Sequence, residues 1–261
     1  MLKHYWSIYK EFLNQSFSEA MSYRAHFVLL MAMDLLFYLS VFGSVDFIFD
    51  HVSSIGPWPY DTFMFFVAFM IAIDHLHMTF VSESFWNLSE DIRTGKLDFV
   101  LLKPVFTLFP IFMRFIRPGT MLNGFVPWGL LIYFGLKLNL SPSSWLLLPI
   151  LVFSGFVLLT SLGILISMSM FWTIESFGIN FLRMQMQQLS RWPDFIYKTL
   201  YRKIFSFGLP ILLVGSAPVK FLIDRKNIAD LFLMYALTLA TWLLIALLWK
   251  KALTKYESAS S

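Results

Sequence analysis

Three ionisable side chains, Asp74, His75 and His77, lie inside one long apolar stretch of the sequence. Ionisable residues inside a membrane helix are costly, and they mark candidate proton relays or metal sites. His75 and His77 are two positions apart, so a regular helix points them to nearly opposite faces and they cannot chelate one ion. Asp74 and His77 are three positions apart and can meet on one face. The spacing therefore predicts a buried Asp74–His77 hydrogen-bonded pair and no metal site.

Other groupings that could do chemistry are incomplete. Gly119 and Gly124 have the spacing of a phosphate-binding loop, but Phe125 and Val126 stand where Lys and Ser or Thr would hold phosphate and magnesium. The chain has no cysteine, which excludes thiolate metal sites, disulfides and cysteine nucleophiles. We therefore expect no enzyme activity and no cofactor in this chain, and any ATP that drives it is expected to bind to another chain.

The composition indicates which elements position these groups. The sequence is 58% hydrophobic and only 14% charged, with a mean hydropathy of +0.69. A soluble domain has about 45–50% apolar and about 25% charged residues. The excess of apolar side chains predicts an all-α integral membrane protein. The net charge of +4 comes mostly from basic residues that flank apolar runs, so it indicates membrane orientation and no nucleic-acid partner.

The apolar runs predict six transmembrane helices in a single domain, 1–261. Residues 1–23 have aromatic side chains at helical spacing and predict an amphipathic helix that lies flat on the membrane with its aromatic face in lipid. Lys and Arg precede the first span and are absent from residues 50–60, which places both termini in the cytoplasm. Five of the spans are predicted at 26–49, 62–81, 115–136, 145–172 and 228–249.

The fifth span in chain order has two possible positions. In one topology, a helix that begins near residue 175 crosses the membrane, and residues 191–222 form an outer re-entrant segment. In the other, residues 173–203 lie on the cytoplasmic surface and residues 204–223 cross the membrane. The charges favour the second topology, because four basic residues between 191 and 203 prefer the cytoplasmic side. In the first topology, a polar stripe of Asn180, Arg183 and Gln187 would face the bundle interior.

A polar island at residues 82–104 separates the second and third spans. Its charges must lie outside the lipid, and the topology places it in the cytoplasm. It is long enough for a short helix that a soluble partner could contact. The charged residues of the island are Glu83, Glu90, Asp91, Arg93, Lys96, Asp98 and Lys103.

Three short patterns occur in order along the chain. The first is Gly95-Lys96-Leu97-Asp98 followed by Leu101-Leu102-Lys103-Pro104. The second is Arg191-Trp192-Pro193 with Ile196-Tyr197, then Pro210 and Ala217-Pro218. The third is Trp249-Lys250-Lys251-Ala252-Leu253 with Lys255-Tyr256. Together they resemble permease (transmembrane) subunits of ABC transporters of the type-2 exporter class, in a bacterial branch with six spans. A Gly that often ends the family's tail is missing here.

The resemblance implies a mechanism. Two permease subunits, identical or different, would pair in the bacterial plasma (inner) membrane and dock on two cytoplasmic ABC ATPase subunits that bind ATP and magnesium. The island would hold the ATPase-coupling helix, the first 23 residues would connect it to the first span, and the re-entrant topology would apply. Asn180, Arg183 and Gln187 would then face the translocation path or the dimer seam. The expected coupling residues are Leu88, Glu90, Asp91, Ile92, Arg93, Gly95 and Asp98.

The function expected from the sequence is therefore a membrane-spanning permease subunit of an ATP-driven exporter. The alternative is a proton-coupled secondary transporter that uses Asp74 and His77. Inverted repeats would favour that alternative, and the sequence has no such internal symmetry. The substrate is not specified, because a path with apolar and amide side chains would suit lipids, lipid-linked glycans, peptides or hydrophobic drugs.

Overall fold

The computed structural model describes residues 2–173 and 177–256, which are mostly α-helical. A short antiparallel hairpin, Ser54–Ile55 with Trp58–Pro59, joins the second and third helices. In chain order the helices are α1 Leu2–Ser22, α2 Arg24–Phe49, α3 Tyr60–Phe80, α4 Ser82–Thr94, α5 Leu97–Leu101, α6 Leu108–Met113, α7 Pro118–Leu122, α8 Phe125–Lys137, α9 Pro142–Ser167, α10 Met170–Thr173, α11 Phe177–Ser190, α12 Thr199–Lys203, α13 Leu213–Ile223 and α14 Ile228–Leu253.

The long apolar helices confirm an all-α membrane protein. In the described part of the chain, five stretches are long and apolar enough to cross a membrane, and each contains most of one span predicted from the sequence. A bent pair of shorter helices, Thr199–Gly208 and Leu213–Ile223, is long and apolar enough only when its two halves are counted together. Counting the pair as one span would give six spans. The five stretches are Arg24–Phe49, Tyr60–Phe80, Pro118–Lys137, Pro142–Thr173 and Arg225–Leu253.

Helix α3 is the centre of the bundle. In its most apolar 18-residue stretch, 83% of the residues are buried, compared with 17% in α2 and 22% in the last span. A helix that is apolar on all sides needs neighbours or lipid on all sides, and α3 packs against α8, α9 and α13. The outer faces of α2 and α14 instead expose large apolar side chains, as expected for helices next to lipid or a second membrane subunit.

Small residues allow α9 and α13 to approach α3 closely. A Cβ atom at Gly155 would lie 2.5 Å from Ile73 Cδ1 and 2.8 Å from the Val214 carbonyl oxygen. At Gly215, a Cβ atom would meet the Met70 sulfur at 2.2 Å. Small residues at helix contacts are typical of membrane bundles, where van der Waals packing is a main source of helix association.

The segment between α11 and α14 starts and ends on the same side of the bundle. At its start, Asp194 accepts a hydrogen bond from Lys220 Nζ at 2.7 Å, and the Asp194 backbone N–H donates to Ser216 Oγ at 3.0 Å. Its inward arm is α12 with the π-helical turn Ile204–Gly208, and its returning arm is α13, with an angle of 98° between them. This geometry agrees with the re-entrant segment 191–222. It does not fit a single straight span at 204–223.

Helix α1 is the predicted amphipathic N-terminal helix, but part of its aromatic face contacts protein. The rings of Tyr5 and Phe12 lie 5.1 Å and 6.0 Å from the ring of Phe109, and Tyr5 Oη accepts a hydrogen bond from the Phe106 backbone N–H at 3.0 Å. Trp6 remains 56% exposed. Phe109 offers an aromatic surface and Phe106 offers a backbone donor to these side chains, so α1 packs on the segment that follows the polar island.

Candidate functional site

The polar stripe of α11 faces the bundle interior. Asn180 and Arg183 are 1% and 4% exposed, and α11 packs against α9, α13 and α4. The Arg183 guanidinium lies 4.4 Å from the Phe85 ring, just beyond one end of α3, while Trp192, just after α11, lies 6.3 Å from the ring of Phe63 near the other end. Helix α11 therefore runs antiparallel to α3 through the bundle.

Asp74 is held by two residues from the end of α11. Its Oδ1 accepts a hydrogen bond from Gln187 Nε2 at 2.8 Å, and its Oδ2 accepts one from Arg191 Nε, also at 2.8 Å. The Asp74 side chain is 1% exposed, and the Arg191 side chain is 21% exposed. A buried carboxylate needs a charged partner and hydrogen bonds to offset its desolvation, and both are present here.

The predicted Asp74–His77 pair does not form. His77 instead stacks on the Phe85 ring at a centroid distance of 5.7 Å, and its Nδ1 is buried with no hydrogen-bond partner. His75 Nε2 lies 3.1 Å from the Thr120 carbonyl oxygen, on a different side of α3. Within residues 2–173 and 177–256, no three His, Cys, Asp or Glu side chains come together in a group that could hold a metal ion.

A cavity of about 350 Å³ lies beside the Asp74–Arg191 pair, between α2, α3 and the end of α11. Most of its walls are aliphatic or aromatic. Ser40 and Ser44 of α2 are exposed and also line it, so the cavity is open along α2. The residues that line it are Phe37, Ser40, Val41, Ser44, Val45, Val67, Met70, Ile71, Asp74, Gln188, Arg191 and Trp192.

A second polar cluster connects α2 to α7. Asp34 is 3% exposed and accepts a hydrogen bond from Thr120 Oγ1 at 2.6 Å, and Arg117 Nη2 lies 3.6 Å from its other oxygen. Beside it, a cavity of about 250 Å³ between α1, α2, α4 and α7 contains the polar side chains of Glu19 and Glu83. The cluster joins α2 to α7, and the cavity beside it lies where α1 and the polar island meet these helices.

The polar island folds as two helices with a turn between them. Helix α4 ends at Gly95, which has a φ of 73°, a left-handed conformation that glycine adopts at little cost. Leu88 is 2% exposed, and Ile92 packs against the core. Both apolar members of the expected coupling set therefore contact this chain's own bundle. They are not free for a partner in this structure.

The charged members of the expected coupling set differ in their surroundings. Glu90 and Arg93 pair with each other at 2.8 Å, and their side chains are 46% and 73% exposed. Asp91 is only 13% exposed and pairs with Arg114 at 2.6 Å, which ties α4 to the residue after α6. The outward stripe of α4, defined here as Glu83, Trp86, Glu90 and Arg93, is the part that a soluble partner could reach.

Asp98 contacts the C-terminal tail. The Tyr256 phenol lies beside the Asp98 carboxylate, and the two residues belong to the first and third of the sequence patterns. Burial, together with the negative charge of Asp98, raises the pKa of Tyr256 to about 12. The Tyr256 ring also contacts Phe171 at 6.4 Å, so the tail is placed against both α10 and α5.

The sequence did not identify Arg191 as the partner of Asp74 or Arg114 as the partner of Asp91. A signal for Arg191 was available, because it follows Gln187 by four positions and so continues the polar stripe of α11. Arg114 carries no comparable signal. It stands near the third span, where a basic residue is expected for topology alone.

The chain was compared with known proteins and families. A family model described as ABC-2 family transporter protein matches residues 28–260, which is nearly the whole chain. No curated protein and no solved structure gave a match. The match covers the spans, the polar island and the tail whose geometry is given above, and the chain therefore belongs to the ABC-2 family of transporter membrane proteins.

Proposed function

We propose that this protein is the membrane-spanning permease subunit of an ATP-driven exporter and that a separate ATPase subunit drives it. Membership of the ABC-2 transporter family supports the permease role. The observation that carries the coupling role is the outward stripe of α4. It presents Trp86, 40% exposed, beside the exposed Glu90–Arg93 pair on a helix whose opposite face is buried. An aromatic anchor flanked by charges is a common composition for protein interface hot spots.

Force on α4 would reach the membrane helices through defined contacts. Phe85 and Leu88 on the inner face of α4 are buried in the core, and the Phe85 ring contacts both His77 of α3 and Arg183 of α11. The Asp91–Arg114 pair connects α4 to the third span. A displacement of α4 would therefore move α3, α11 and the third span together.

ATP and magnesium would bind to the partner. The candidate phosphate loop from Gly119 to Gly124 spans helix α7 and the turn after it, and a Cβ atom at Gly124 would lie 2.9 Å from His75. Helical packing of this kind leaves no loop of free backbone N–H groups around a phosphate. We assign this chain no catalytic residue and no cofactor.

The translocation path would lie along α11 and α2. A second permease subunit, identical or different, would cover the exposed face of α2, and Asn180, Arg183 and Gln187 would line the inner part of the path. Membrane lipid would cover the remaining apolar surface. The protein would reside in the bacterial inner membrane with both termini in the cytoplasm, because Lys or Arg occurs in α1, in the polar island and in the tail after Trp249 and both are absent from residues 50–60.

The proton-coupled alternative has less support. A relay between Asp74 and His77 needs the two groups in contact, directly or through water. Both Asp74 oxygens instead accept hydrogen bonds from α11, and His77 faces aromatic rings.

Co-purification tests the proposal. The chain would be co-expressed with a candidate ATPase subunit that has a complete phosphate loop and extracted in mild detergent. We expect the ATPase to co-purify with the wild type and to be lost from Glu90→Ala/Arg93→Ala, which changes exposed side chains only. Lys137→Gln, at the opposite end of the bundle, is the matched control and should retain the ATPase. Failure of the wild type to bind any such ATPase would contradict the proposal.

A further inference from the structure

The Asp74–Arg191 pair leaves N–H donors of the Arg191 guanidinium without a partner among the described residues. Gln187 and Arg191 occupy both oxygens of Asp74. Arg191 uses Nε on Asp74 and Nη1 on Gln188 Oε1 at 2.8 Å, while its Nη2 donates to no described residue. Its guanidinium also lies 4.9 Å from the Phe37 ring, which fixes the plane of the group. Arg191 also lines the cavity beside the pair, so its unused N–H donors lie at the wall of that cavity.

The cavity that receives this donor is suited to an elongated apolar group. Its volume is about 350 Å³, and aliphatic and aromatic side chains of α2 and α3 form most of its wall. Val45 and Val67 lie towards the hairpin end, and Asp74 and Arg191 close the other end. A ligand that enters past the exposed Ser40 and Ser44 would place its apolar part along α3 and its polar end at Arg191.

We propose that this cavity binds an anionic amphiphile, with a carboxylate, phosphate or sulfate group on Arg191 and an apolar body along α2 and α3. Guanidinium groups bind such oxyanions through charge-assisted hydrogen bonds. A lipophilic cation is disfavoured because each Asp74 oxygen already accepts a hydrogen bond and the positive charge of Arg191 would repel it. The assignment of this ligand class to the transported substrate rests on the proposed permease function.

An uncharged groove in the same protein provides an internal comparison. It has a volume of about 250 Å³ and lies between α6, α9 and α14, and Thr160 is the one residue in its lining that has a hydroxyl group. A ligand held only by apolar contact should enter this groove as readily as the cavity at Arg191. A ligand selected for its negative charge should prefer the cavity.

Photo-crosslinking in nanodiscs tests the proposal without an ATPase. The discs would contain phosphatidylcholine only. Three probes with one long alkyl chain and a terminal diazirine would carry a carboxylate, a methyl ester or a trimethylammonium group, and mass spectrometry would locate the label. We expect the carboxylate to label segments 37–45, 67–74 and 188–192 at least tenfold more than the other two probes. Equal labelling by all three probes, or preference for the ammonium, would overturn the proposal.

Two double variants separate charge recognition from fold. Asp74→Asn/Arg191→Gln removes both charges and keeps hydrogen-bonding groups in place, and it should reduce carboxylate labelling of the cavity at least tenfold. Asp61→Asn/Lys137→Gln removes an exposed pair at the end of α8 and should leave labelling unchanged. Unchanged labelling in the first double variant would also overturn the proposal. If that variant does not fold, the comparison of the three probes on the wild type still tests whether the cavity selects a negative charge.

Competitors identify the source of the ligand. Suppression of labelling by phosphatidylglycerol in the disc supports a bilayer lipid as the occupant, and suppression by soluble decanoate alone supports a free amphiphile. If inorganic phosphate suppresses labelling at a concentration similar to that of decanoate, the ligand does not need an apolar body and that part of the proposal is contradicted. None of these results depends on ATPase binding. The co-purification test can therefore contradict the proposed function while the labelling supports this ligand site, and the labelling can contradict the site while the ATPase co-purifies.

Discussion

Arg191 Nε donates a hydrogen bond to Asp74 Oδ2 at 2.8 Å across 117 positions of sequence. The contact joins the residue just after α11 to the middle of α3, the most buried helix of the bundle. It therefore holds the end of α11 against α3, inside the bundle. Both the fold and the proposed ligand site depend on this pair.

Loss of one partner of this pair should cost more stability than loss of both charges. Breaking a buried ion pair by removing one side typically costs about 3–5 kcal/mol, because the other charge remains buried without a partner. We expect Arg191→Gln to lower the thermal midpoint in detergent more than Asp74→Asn/Arg191→Gln does. Fluorescence-detected size exclusion after heating measures both. Equal midpoints for the two variants would show that the pair is not coupled.

Gly155 should not tolerate even a methyl group. A Cβ atom there would lie 2.8 Å from a backbone carbonyl oxygen, that of Val214, and backbone moves less readily than a side-chain end. We expect Gly155→Ala to destabilise the bundle by about 1–3 kcal/mol, the usual cost of overpacking.

Gly43→Ala is the matched control for that change. Gly43 is also in a membrane helix, α2, and a Cβ atom there would meet nothing within 4 Å. Its thermal midpoint should equal or slightly exceed that of the wild type, because Ala favours helix more than Gly does. A Gly155→Ala protein as stable as Gly43→Ala would mean that α9 and α13 are not in close contact.

The natural absence of cysteine allows a direct test of topology. Single cysteines at Lys198 and Lys226 should react with a membrane-impermeant maleimide in intact cells, because both residues are exposed at the outer end of the proposed arrangement. Cysteines at Lys96 and Lys255 should react only after permeabilisation. Labelling of Lys198→Cys from the inside alone would favour the topology in which residues 204–223 cross the membrane.

The tail contact should change at alkaline pH. The pKa of Tyr256 is raised from 10.0 to about 12, chiefly by burial and then by Asp98. A raised pKa means that the neutral phenol is favoured in the folded protein, so the contribution to stability is complete below pH 10 and is lost as pH rises towards 12. The tyrosinate absorbance of the wild type minus that of Tyr256→Phe should titrate near 12. A midpoint near 10 would show that the tail is not docked.

The hydrophobic pattern predicted the spans because the need to match the lipid thickness applies to each helix separately. The inward-facing stripe, with Asn180 and Arg183 buried and Gln187 partly buried, was predictable for the same reason, since one face of a membrane helix must receive its polar residues. Charge counting favoured a fifth span at 204–223, but the 98° bend between the two halves of that region does not fit one straight span. Two of the basic residues after Arg191, Arg202 and Lys220, pair with Asp194, so counting them as free charges overstates their preference for the cytoplasm.

Pairings between distant elements could not be predicted from one sequence. Helical spacing identifies neighbours within a helix, so Asp74 was matched with His77 and not with Arg191. The same limit affected the polar island. All of its residues can lie outside lipid, so the sequence pattern of the island did not separate the inner face with Leu88 from the outward stripe. Asp91 was therefore grouped with the exposed charges, although it pairs with Arg114.

The coupling role of α4 can be tested directly by a cysteine cross-linking scan of α4 against the ATPase, with single cysteines placed in the cysteine-free chain. We predict cross-links from Glu83, Trp86, Glu90 and Arg93, which recur on one helix face, and none from the buried Ser84 or from Lys226 at the other end of the bundle. Cross-links that follow this periodicity would locate the ATPase on the outward stripe. No cross-link from any of the four outward positions, in a preparation where the ATPase is present and active, would contradict the coupling role of α4.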